Sequence, residues 1–525
     1  MRRQWFLAFF GFVALAVAAV WLGGLNQDEG WYLYAANLVS EGQIPYRDFF
    51  FTQGPVMPLV YSTFAVLWKA FGLLGGRILT LLIGFVGIIF LVVLSRRLVP
   101  ASRRTLVGLV VFLLLGCNLY HLYYNAIPKT YALAGLFVAV GFLSLSYVDS
   151  RRMLVRVPQL FVASAAFAFA AGTRFSLGVI LVVVGLGLLV SFRRYGWSFL
   201  WFGLGGTLAL ALVFGVFLLN EGTRNGLIAA QFYHAARGGF DPVFALGSVS
   251  RLVRWYLPTF IILGLGLLAF RPKPSGNRDE SSNPLVVWLL LWSAVGVVVV
   301  QVFAPFPYED YQVPVMGILS VFAAVLCVRG CDPATEVGGR RIFLLTLGLT
   351  WATSFGSPLL EDWMTNGQDR FWTLKKSSCE LAQLRDVARR IESLDPGGKT
   401  IFTQDLYLAV ETNRRVPHGL EMGPFSYWGD GLPSWMKEGL ALDDNGMREL
   451  IEKDTSSVAA LSGYAFAITV PRGTETPWER QKDYLQLLKR QYELAFVEEN
   501  FGQHATPLLV LKRRPVQMKE ANYAE

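Results

Sequence analysis

The chain has 525 residues, of which 54% are hydrophobic and only 16% are charged. Soluble domains usually carry about 25% charged residues, so this composition excludes an ordinary water-soluble protein and favours a surface that lies in lipid. The net charge of +9 is better explained by arginines at the ends of membrane helices than by nucleic-acid binding, because no nucleic-acid motif is present. The four cysteines form no pattern that indicates a disulfide framework.

Eleven apolar runs, separated by polar segments, occupy residues 1–357. A run needs about 20 residues to cross a bilayer, and fewer where it is buried in protein. The first run resembles a signal peptide, but its length and the lack of a small-x-small cleavage site favour an uncleaved helix. The predicted membrane helices are 5–25, 77–94, 105–119, 130–148, 158–172, 175–192, 197–219, 256–270, 285–304, 312–328 and 342–357.

Basic residues are concentrated in every second loop along the chain. They gather at 2–3, 96–104, 151–156, 193–194, 271–278 and 329–341, whereas the intervening loops carry fewer basic and more acidic residues for their length. Because cytoplasmic loops are enriched in Lys and Arg, this alternation predicts a multi-pass protein of the cell inner (plasma) membrane with a cytoplasmic N-terminus. An odd number of helices then places the C-terminal domain outside the cytoplasm.

The composition changes near Ser357-Pro358, after which charged and apolar residues mix as in soluble proteins. Residues 358–525 are therefore predicted to form a separate extracytoplasmic α/β domain. Apolar periodicity and turn residues predict its elements, with helices at 376–394 and 478–491 and strands at 399–403, 465–470 and 507–512.

The outer loop at 26–76 is the longest, and loops of this length are usually functional. It contains an acidic pair, an amphipathic helix and two turn segments, in the order Asp28-Glu29, 29–40, Pro45-Tyr46-Arg47-Asp48 and Gln53-Gly54-Pro55. The apolar segment 56–72 is interrupted by Pro58 and Lys69, so it is predicted to be a helix that lies at the outer surface.

This loop resembles that of the membrane-embedded glycosyltransferases of the GT-C class. The closest likeness is to the bacterial relatives of protein O-mannosyltransferases and of lipid A aminoarabinose transferase. The residues that carry it are Asp28-Glu29, Tyr32, Ala35, Gly42, Pro45-Tyr46, Asp48, Pro55, Phe71-Gly72 and Arg77. The likeness is specific over about 26–80 and topological over 1–357. The chain departs from the family at Gly54-Pro55, where the family often has two prolines, and at Asn125, where an aspartate is common nearby.

The resemblance implies an α-helical polytopic membrane protein whose residues 1–357 form an inverting glycosyltransferase domain. Such an enzyme moves a hexose or pentose from a polyprenyl-phosphate donor to a glycan, lipid or protein acceptor at the outer face of the membrane. Asp28 is then the general base for the acceptor hydroxyl, and Glu29 orients the loop or contacts the acceptor. Without the resemblance, both acids equally fit the first turn of a helix.

The resemblance also implies that Tyr32, Tyr46 and Asp48 line the substrate pocket, although Asp48 equally fits a turn. Two cations are candidates for holding the lipid phosphate. Arg174 lies between two apolar runs, where a charge is costly unless it is paired or faces an aqueous cavity, and Lys129 follows Pro128 in an outer loop. The alternative for Arg174 is an interfacial side chain that extends its charge to the membrane surface.

Further candidates for substrate binding lie in two other outer loops. His234 and Arg237 belong to the loop 220–255, where a lone histidine is more often a hydrogen-bonding loop residue than a catalyst. Glu309 and Asp310 precede a membrane helix and either cap it or contact substrate at the mouth of a cavity.

No metal or other cofactor is predicted, because the first loop has no Asp-x-Asp and histidines are few. Two other functions stay open. A transporter or flippase would carry ionisable residues within its helices and often two repeated halves, whereas here the acids cluster in outer loops. A non-catalytic scaffold would tolerate the replacement of Asp28 by Asn.

Overall fold

The computed structural model describes residues 2–235, 239–269, 283–330, 336–355 and 379–515. The last range has gaps at 430–431, 433, 435–436, 438–439, 464–465, 467, 470–473 and 504. The predicted domain boundary at Ser357-Pro358 lies outside the described residues. We refer to residues 379–515 as the C-terminal region.

Each of the eleven apolar runs contains a helix in the structure. Three further helices lie between α1 and the helix of the second run, and two occupy the predicted loop 220–255. The helices are α1 Arg2–Leu22, α2 Gln27–Ser40, α3 Val56–Ser62, α4 Val66–Phe71, α5 Leu73–Arg97, α6 Arg104–Gly116, α7 Leu119–Ala126, α8 Thr130–Leu145, α9 Met153–Thr173, α10 Gly178–Val190, α11 Phe192–Tyr195, α12 Ser198–Leu219, α13 Glu221–Ala235, α14 Pro242–Trp255, α15 Leu257–Ala269, α16 Pro284–Val302, α17 Val313–Gly330 and α18 Glu336–Phe355.

The fourth helix after α1 is α5, which begins at Leu73, ahead of the predicted run at 77–94, and continues through it.

Six of these helices are long and apolar enough to cross a membrane, judged by length and composition over the described residues. The count rises to eight if two bent pairs, α6 with α7 and α14 with α15, each form one span. The bends within these pairs are 67° and 78°. The chain is therefore a multi-helix membrane protein, and a total of eleven crossings stays a prediction.

Two of the basic loops that the alternation assigns to one face contact each other in the structure. Arg103 Nη1 donates to the backbone oxygens of Val328, at 2.8 Å, and Arg329, at 2.7 Å. Arg329 in turn donates to the oxygen of Leu98 at 2.6 Å. These contacts join the segment after α5 to the end of α17, although about 230 residues separate them.

The described residues of the C-terminal region form helices and three small sheets. Strand β7 pairs antiparallel with β3 on one side and β6 on the other, β1 pairs parallel with β2, and β4 pairs antiparallel with β5. The elements are α19 Glu380–Leu394, α20 Leu406–Thr412, β1 Tyr427–Gly429, β2 Leu442–Asp443, α21 Asp444–Lys453, β3 Val458–Leu461, β4 Ile468–Thr469, β5 Thr474–Glu475, α22 Trp478–Gln491, β6 Tyr492–Phe501 and β7 Thr506–Arg513.

Most of the elements predicted for this region are found, with one correction. The helix 478–491 matches α22, the strand 507–512 lies within β7, and the helix at 376–394 is described from Glu380 onward. The strand at 399–403 is wrong, because only two isolated bridges form there, Thr400 with Arg415 and Phe402 with Ala459. The segment is extended but changes partner after two residues, so no continuous ladder develops.

The first loop and the C-terminal region share one hydrophobic core. Buried side chains of α2, such as Trp31 and Leu33, belong to the same cluster as Leu406 and Tyr407 of α20. Gly30 makes this packing close: a Cβ atom at that position would lie 2.1 Å from the backbone nitrogen of Tyr407. The predicted outer domain is thus packed directly against the loop that carries the acidic pair.

Candidate functional site

A buried cluster of charges forms where four distant segments of the chain meet. The ammonium group of Lys129 lies 2.7 Å from Oδ2 of Asp28 and 3.1 Å from Oδ2 of Asp310. The hydroxyl of Tyr131 donates to the same oxygen of Asp310 at 2.8 Å. Together with Arg174, these residues are called the polar cluster below.

The segments that supply the polar cluster are those that the arginine alternation assigns to the outer face. Asp28 lies in the first turn of α2, Lys129 directly precedes α8, Arg174 directly follows α9, and Asp310 lies in a short 3-10 turn before α17. Their convergence agrees with the alternation, because loops on one face of a membrane are the ones that can meet. The sequence predicted these four residues separately, and the structure brings them together.

Lys129 is held in its charged form by the two carboxylates. Its side chain is only 8% exposed, and burial by itself lowers the pKa of a lysine. The charges of Asp28 and Asp310 outweigh this effect and raise the pKa of Lys129 well above its usual range. The ammonium group therefore provides a permanent positive charge between two acids.

Arg174 is a second cation in the polar cluster, and its bonding is incomplete. Its guanidinium lies over the rings of Tyr311, at 4.2 Å, and Tyr131, at 5.1 Å, and one of its nitrogens donates to Thr130 at 3.3 Å. Its Nε is buried without a hydrogen-bond partner. Among the described residues, no carboxylate forms an ion pair with it. A guanidinium in this state is suited to bind an anion.

Asp28 keeps access to solvent while being fixed at two points. Its side chain is 28% exposed, and besides contacting Lys129 it accepts a hydrogen bond from the indole nitrogen of Trp31 at 3.1 Å. Its backbone nitrogen donates to the side chain of the N-cap residue Asn26 at 3.0 Å. The capping role that sequence alone allowed for the acidic pair therefore belongs to Asn26 and Glu29, and the carboxylate of Asp28 points to the polar cluster.

Glu29 does not contact the polar cluster, which contradicts the contact with the acceptor that the resemblance implied as one of its two roles. Its side chain is fully buried, and its two oxygens accept from Nε and Nη2 of Arg77, each at 2.7 Å. One oxygen also accepts from the backbone nitrogen of Asn26 at 3.0 Å. Consecutive helical residues point about 100° apart, so Asp28 and Glu29 face different surroundings. Glu29 orients the loop and is closed to an acceptor.

Tyr32 lies beside the polar cluster, and its part in a substrate pocket stays a prediction. Its ring stacks on Trp31, with centroids 3.7 Å apart. Burial first, and the charge of Asp28 second, raise the pKa of Tyr32, against the opposing charges of Arg174 and Lys129. The phenol therefore stays protonated and can donate a hydrogen bond near the two cations.

Tyr46 and Asp48 are placed elsewhere, which contradicts their predicted part in the substrate pocket. Tyr46 is buried with a φ of +69°, and its hydroxyl donates to the backbone oxygen of Gln53 at 2.5 Å. Asp48 accepts from the backbone nitrogen of Ile44 at 2.8 Å and pairs with the exposed Arg47. Both side chains form hydrogen bonds within the turn that links α2 to α3. A role in this turn is the alternative that the sequence allowed for Asp48.

Of the three remaining candidates, the structure describes the side chain of Glu309 alone. Glu309 is bound by Nε of Arg251 at 3.0 Å, so it links α14 to the turn that carries Asp310. The backbone of His234 lies in α13, but its side chain is outside the described part of the chain. Arg237 lies wholly outside the described residues. Neither residue is assigned a place at the site.

Sequence reasoning assigned no role at the site to three residues that shape it. Tyr131 binds Asp310, Trp31 binds Asp28, and Arg77 holds Glu29. The sequence could have indicated that Arg77 has an acidic partner, because a charge near the start of an apolar run requires one. Within the described residues, no three His, Cys, Asp or Glu side chains converge as metal ligands.

Comparison with known proteins gives a match of fold. The crystal structure of ArnT from Cupriavidus metallidurans bound to undecaprenyl phosphate is 14% identical, with a TM-score of 0.61 over 95% of this chain and 97% of that one. Its apo state gives a TM-score of 0.62 at 13% identity, over 95% and 96%. An oligosaccharyltransferase from Archaeoglobus fulgidus, tethered to an acceptor peptide, gives 0.48 at 10% identity, over 95% and 74%. No family model and no curated protein matches the chain.

The overall fold is therefore that of the GT-C class of membrane glycosyltransferases. The match to ArnT covers nearly the whole of both chains, so it includes the C-terminal region as well as the membrane helices. At this level of identity the likeness is one of fold, and the reaction has to be argued from the side chains of the site.

Proposed function

We propose that this protein is an inverting glycosyltransferase that moves a sugar from a polyprenyl-phosphate donor to an acceptor at the outer face of the membrane. The observation that carries the proposal is the polar cluster, in which a partly exposed carboxylate lies directly beside a buried ammonium and an incompletely bonded guanidinium. A base and an anion site are the two parts that such a transfer needs.

The donor phosphate is bound by the two cations. Arg174 offers its unpaired Nε, and Lys129 offers a charge that it now divides between Asp28 and Asp310. As the bond between the sugar and the phosphate breaks, negative charge grows on the phosphate oxygen. The same cations stabilise that charge, since fixed charges at the point where charge develops lower the barrier.

Asp28 acts on the opposite side of the sugar. Its carboxylate accepts the proton of the acceptor hydroxyl, and the acceptor oxygen forms a bond to the anomeric carbon. The electron pair of the broken bond leaves with the phosphate, and attack from the opposite face inverts the configuration. Binding of the phosphate draws the charge of Lys129 toward the donor, which leaves Asp28 freer to accept the proton.

The polar cluster would carry out this reaction with amino-acid side chains alone. Lys129 occupies the space between two carboxylates in which a divalent cation would otherwise be suited. Transfer that is unchanged by a chelator is the expected result, and loss of transfer that is restored by one added divalent metal would contradict it.

The proposal is tested by a transfer assay in purified membranes with a series of radiolabelled polyprenyl-phosphate sugars. The variant Asp28→Asn should keep the fold and lose transfer by about 100-fold or more, the usual range for removing a general base. The matched control is Asp149→Asn, which removes an exposed acid paired with Arg194 and should transfer like the wild type.

Each outcome of this assay has a distinct meaning. Release of label that depends on Asp28 would establish the reaction and identify the sugar. Full activity of Asp28→Asn would remove the base assignment. Release from no donor by folded protein would favour a transporter or flippase of a lipid-linked substrate, for which the same cations would bind the headgroup.

The proposed orientation places the polar cluster outside the cytoplasm. It follows from the arginine alternation, and it is supported by the contact between two of the basic loops, around Arg103 and Arg329. Reporter fusions after Arg104 and after Trp363 should report opposite sides of the inner membrane. Reports from the same side would overturn this topology.

A further inference from the structure

The N-terminal end of α2, which carries Asp28, is bonded to the C-terminal region. The side chain of Gln27 donates to Oδ1 of Asp405 at 2.8 Å. The backbone nitrogen of Gln27 donates to the side chain of Gln503, also at 2.8 Å. The nitrogen of Leu25 donates to Oε2 of Glu380 at 2.5 Å. Three separate parts of the C-terminal region thus bind Leu25 and Gln27, two of the three residues that precede Asp28.

These bonds satisfy groups that the helix cannot satisfy by itself. The first nitrogens of a helix have no partner within the helix, and Asn26 caps only those that follow it. The C-terminal region supplies the missing acceptors for Leu25 and Gln27. It therefore defines where the first turn of α2 lies.

Asp405 is a deeply buried acceptor that binds two donors through one oxygen. It is 1% exposed, and its Oδ1 also accepts from the hydroxyl of Tyr407 at 2.9 Å. Burial raises the pKa of Asp405, and the hydrogen bonds from Gln27 and Tyr407 oppose that rise. A carboxylate kept in such a place needs its hydrogen-bond donors, so Gln27 and Asp405 hold each other in position.

We propose that Gln27 and Asp405 are positioning residues through which the C-terminal region sets the location of the Asp28 carboxylate. This inference rests on the proposed function, because it assumes that Asp28 is the base. It assigns to the C-terminal region a part in the chemical step, in addition to any part in choosing the acceptor.

The other end of α2 provides a matched control. Arg415 of the C-terminal region pairs with Glu41, at the C-terminal end of α2, at 2.5 Å. This contact joins the same two parts of the protein, but it lies about 20 Å along the helix from Asp28. If the C-terminal region served only to hold α2 in the fold, loss of either contact would have the same effect on transfer.

The experiment compares kcat and KM in the full-length protein for Asp405→Ala, Asp405→Asn and Arg415→Gln. Asp405→Ala should lower kcat by about 10- to 100-fold, because a displacement of about 1 Å is enough for such a loss, and should leave KM for the lipid donor within about twofold. Asp405→Asn keeps an oxygen that accepts from Gln27 and should recover most of kcat. Arg415→Gln should behave as the wild type.

A second measurement needs no turnover. Hydrogen exchange of the backbone nitrogens at 25–30 should speed up in Asp405→Ala and stay unchanged in Arg415→Gln. Equal kcat in these two variants, or unchanged exchange at 25–30 in Asp405→Ala, would overturn the positioning role. Release of sugar from no donor by the folded wild-type protein would instead refute the proposed function, and full transfer by Asp28→Asn would refute the base assignment, so these failures are distinguishable.

Discussion

The replacement Arg77→Ala should lower the free energy of unfolding by about 3–5 kcal/mol, the usual cost of removing one partner of a buried ion pair. Arg77 is fully buried and donates five hydrogen bonds. Two bonds of 2.7 Å reach Glu29, and three of 2.8–3.0 Å reach the backbone oxygens of Val20, Gly23 and Gly24 at the end of α1. The variant leaves a buried charge on Glu29 and three unpaired oxygens.

The assay is reversible unfolding of the purified protein in mixed detergent, followed by tryptophan fluorescence. Arg77→Lys should recover little of the lost stability, since an ammonium has three donors and cannot match the planar guanidinium. The double variant Glu29→Gln with Arg77→Met should cost less than the sum of its single changes, because no charge is then left unpaired.

The control for this prediction is Arg194→Ala. Arg194 pairs with Asp149 at 3.3 Å, and the two side chains are 56% and 37% exposed, so its loss should cost less than about 1 kcal/mol. If Arg77→Ala were no more destabilising than Arg194→Ala, the structural role of the Glu29 and Arg77 pair would be refuted.

Three further changes test other parts of the structure. Arg174→Ala should weaken binding of a polyprenyl phosphate by about 10-fold or more, the usual worth of a hydrogen bond to a charged group, as measured by titration. Gly30→Ala should displace the C-terminal region from α2, because its Cβ would lie 2.1 Å from the backbone of Tyr407, and protease sensitivity of that region should rise. The bond to Glu421 raises the pKa of His418, so hydrogen exchange around His418 should quicken as pH rises through that raised pKa.

Each of these predictions has its own control and contrary result. Arg224→Ala removes an exposed arginine that pairs within its own helix, and equal lipid binding by the Arg174 and Arg224 variants would refute the anion site. Gly203 has open space around it, so Gly203→Ala should leave protease sensitivity unchanged, and equal sensitivity in the Gly30 variant would contradict the close packing.

The sign of the pH effect follows from the direction of the shift. A histidine whose pKa is raised by folding contributes stability below its unfolded pKa of about 6.5, and that contribution is lost as pH rises through the folded pKa. His418→Asn should remove this dependence. The same pH dependence in the variant would show that another group causes it.

Much of the fold could be predicted from the sequence because its signals are local. Apolar runs located eleven helices, and two of the basic loops that the arginine alternation assigns to one face contact each other in the structure. The motif of the first loop indicated the GT-C class, which the fold confirms. Two amphipathic helices in the loop 220–255, α13 and α14, were missed because their composition is less apolar.

The composition of the site was predictable only as a set of separate candidates. Asp28, Lys129, Arg174 and Asp310 were each chosen for their own local reason, and only packing of the helices shows that they touch. The sequence by itself determined the helices, the motif and the class of charges that an anion site would need. Tertiary structure decided which acid of the pair faces the cations, which one Arg77 buries, and that the C-terminal region holds α2. The reason is that these choices depend on contacts between residues about 50 to 380 positions apart, which no local pattern records.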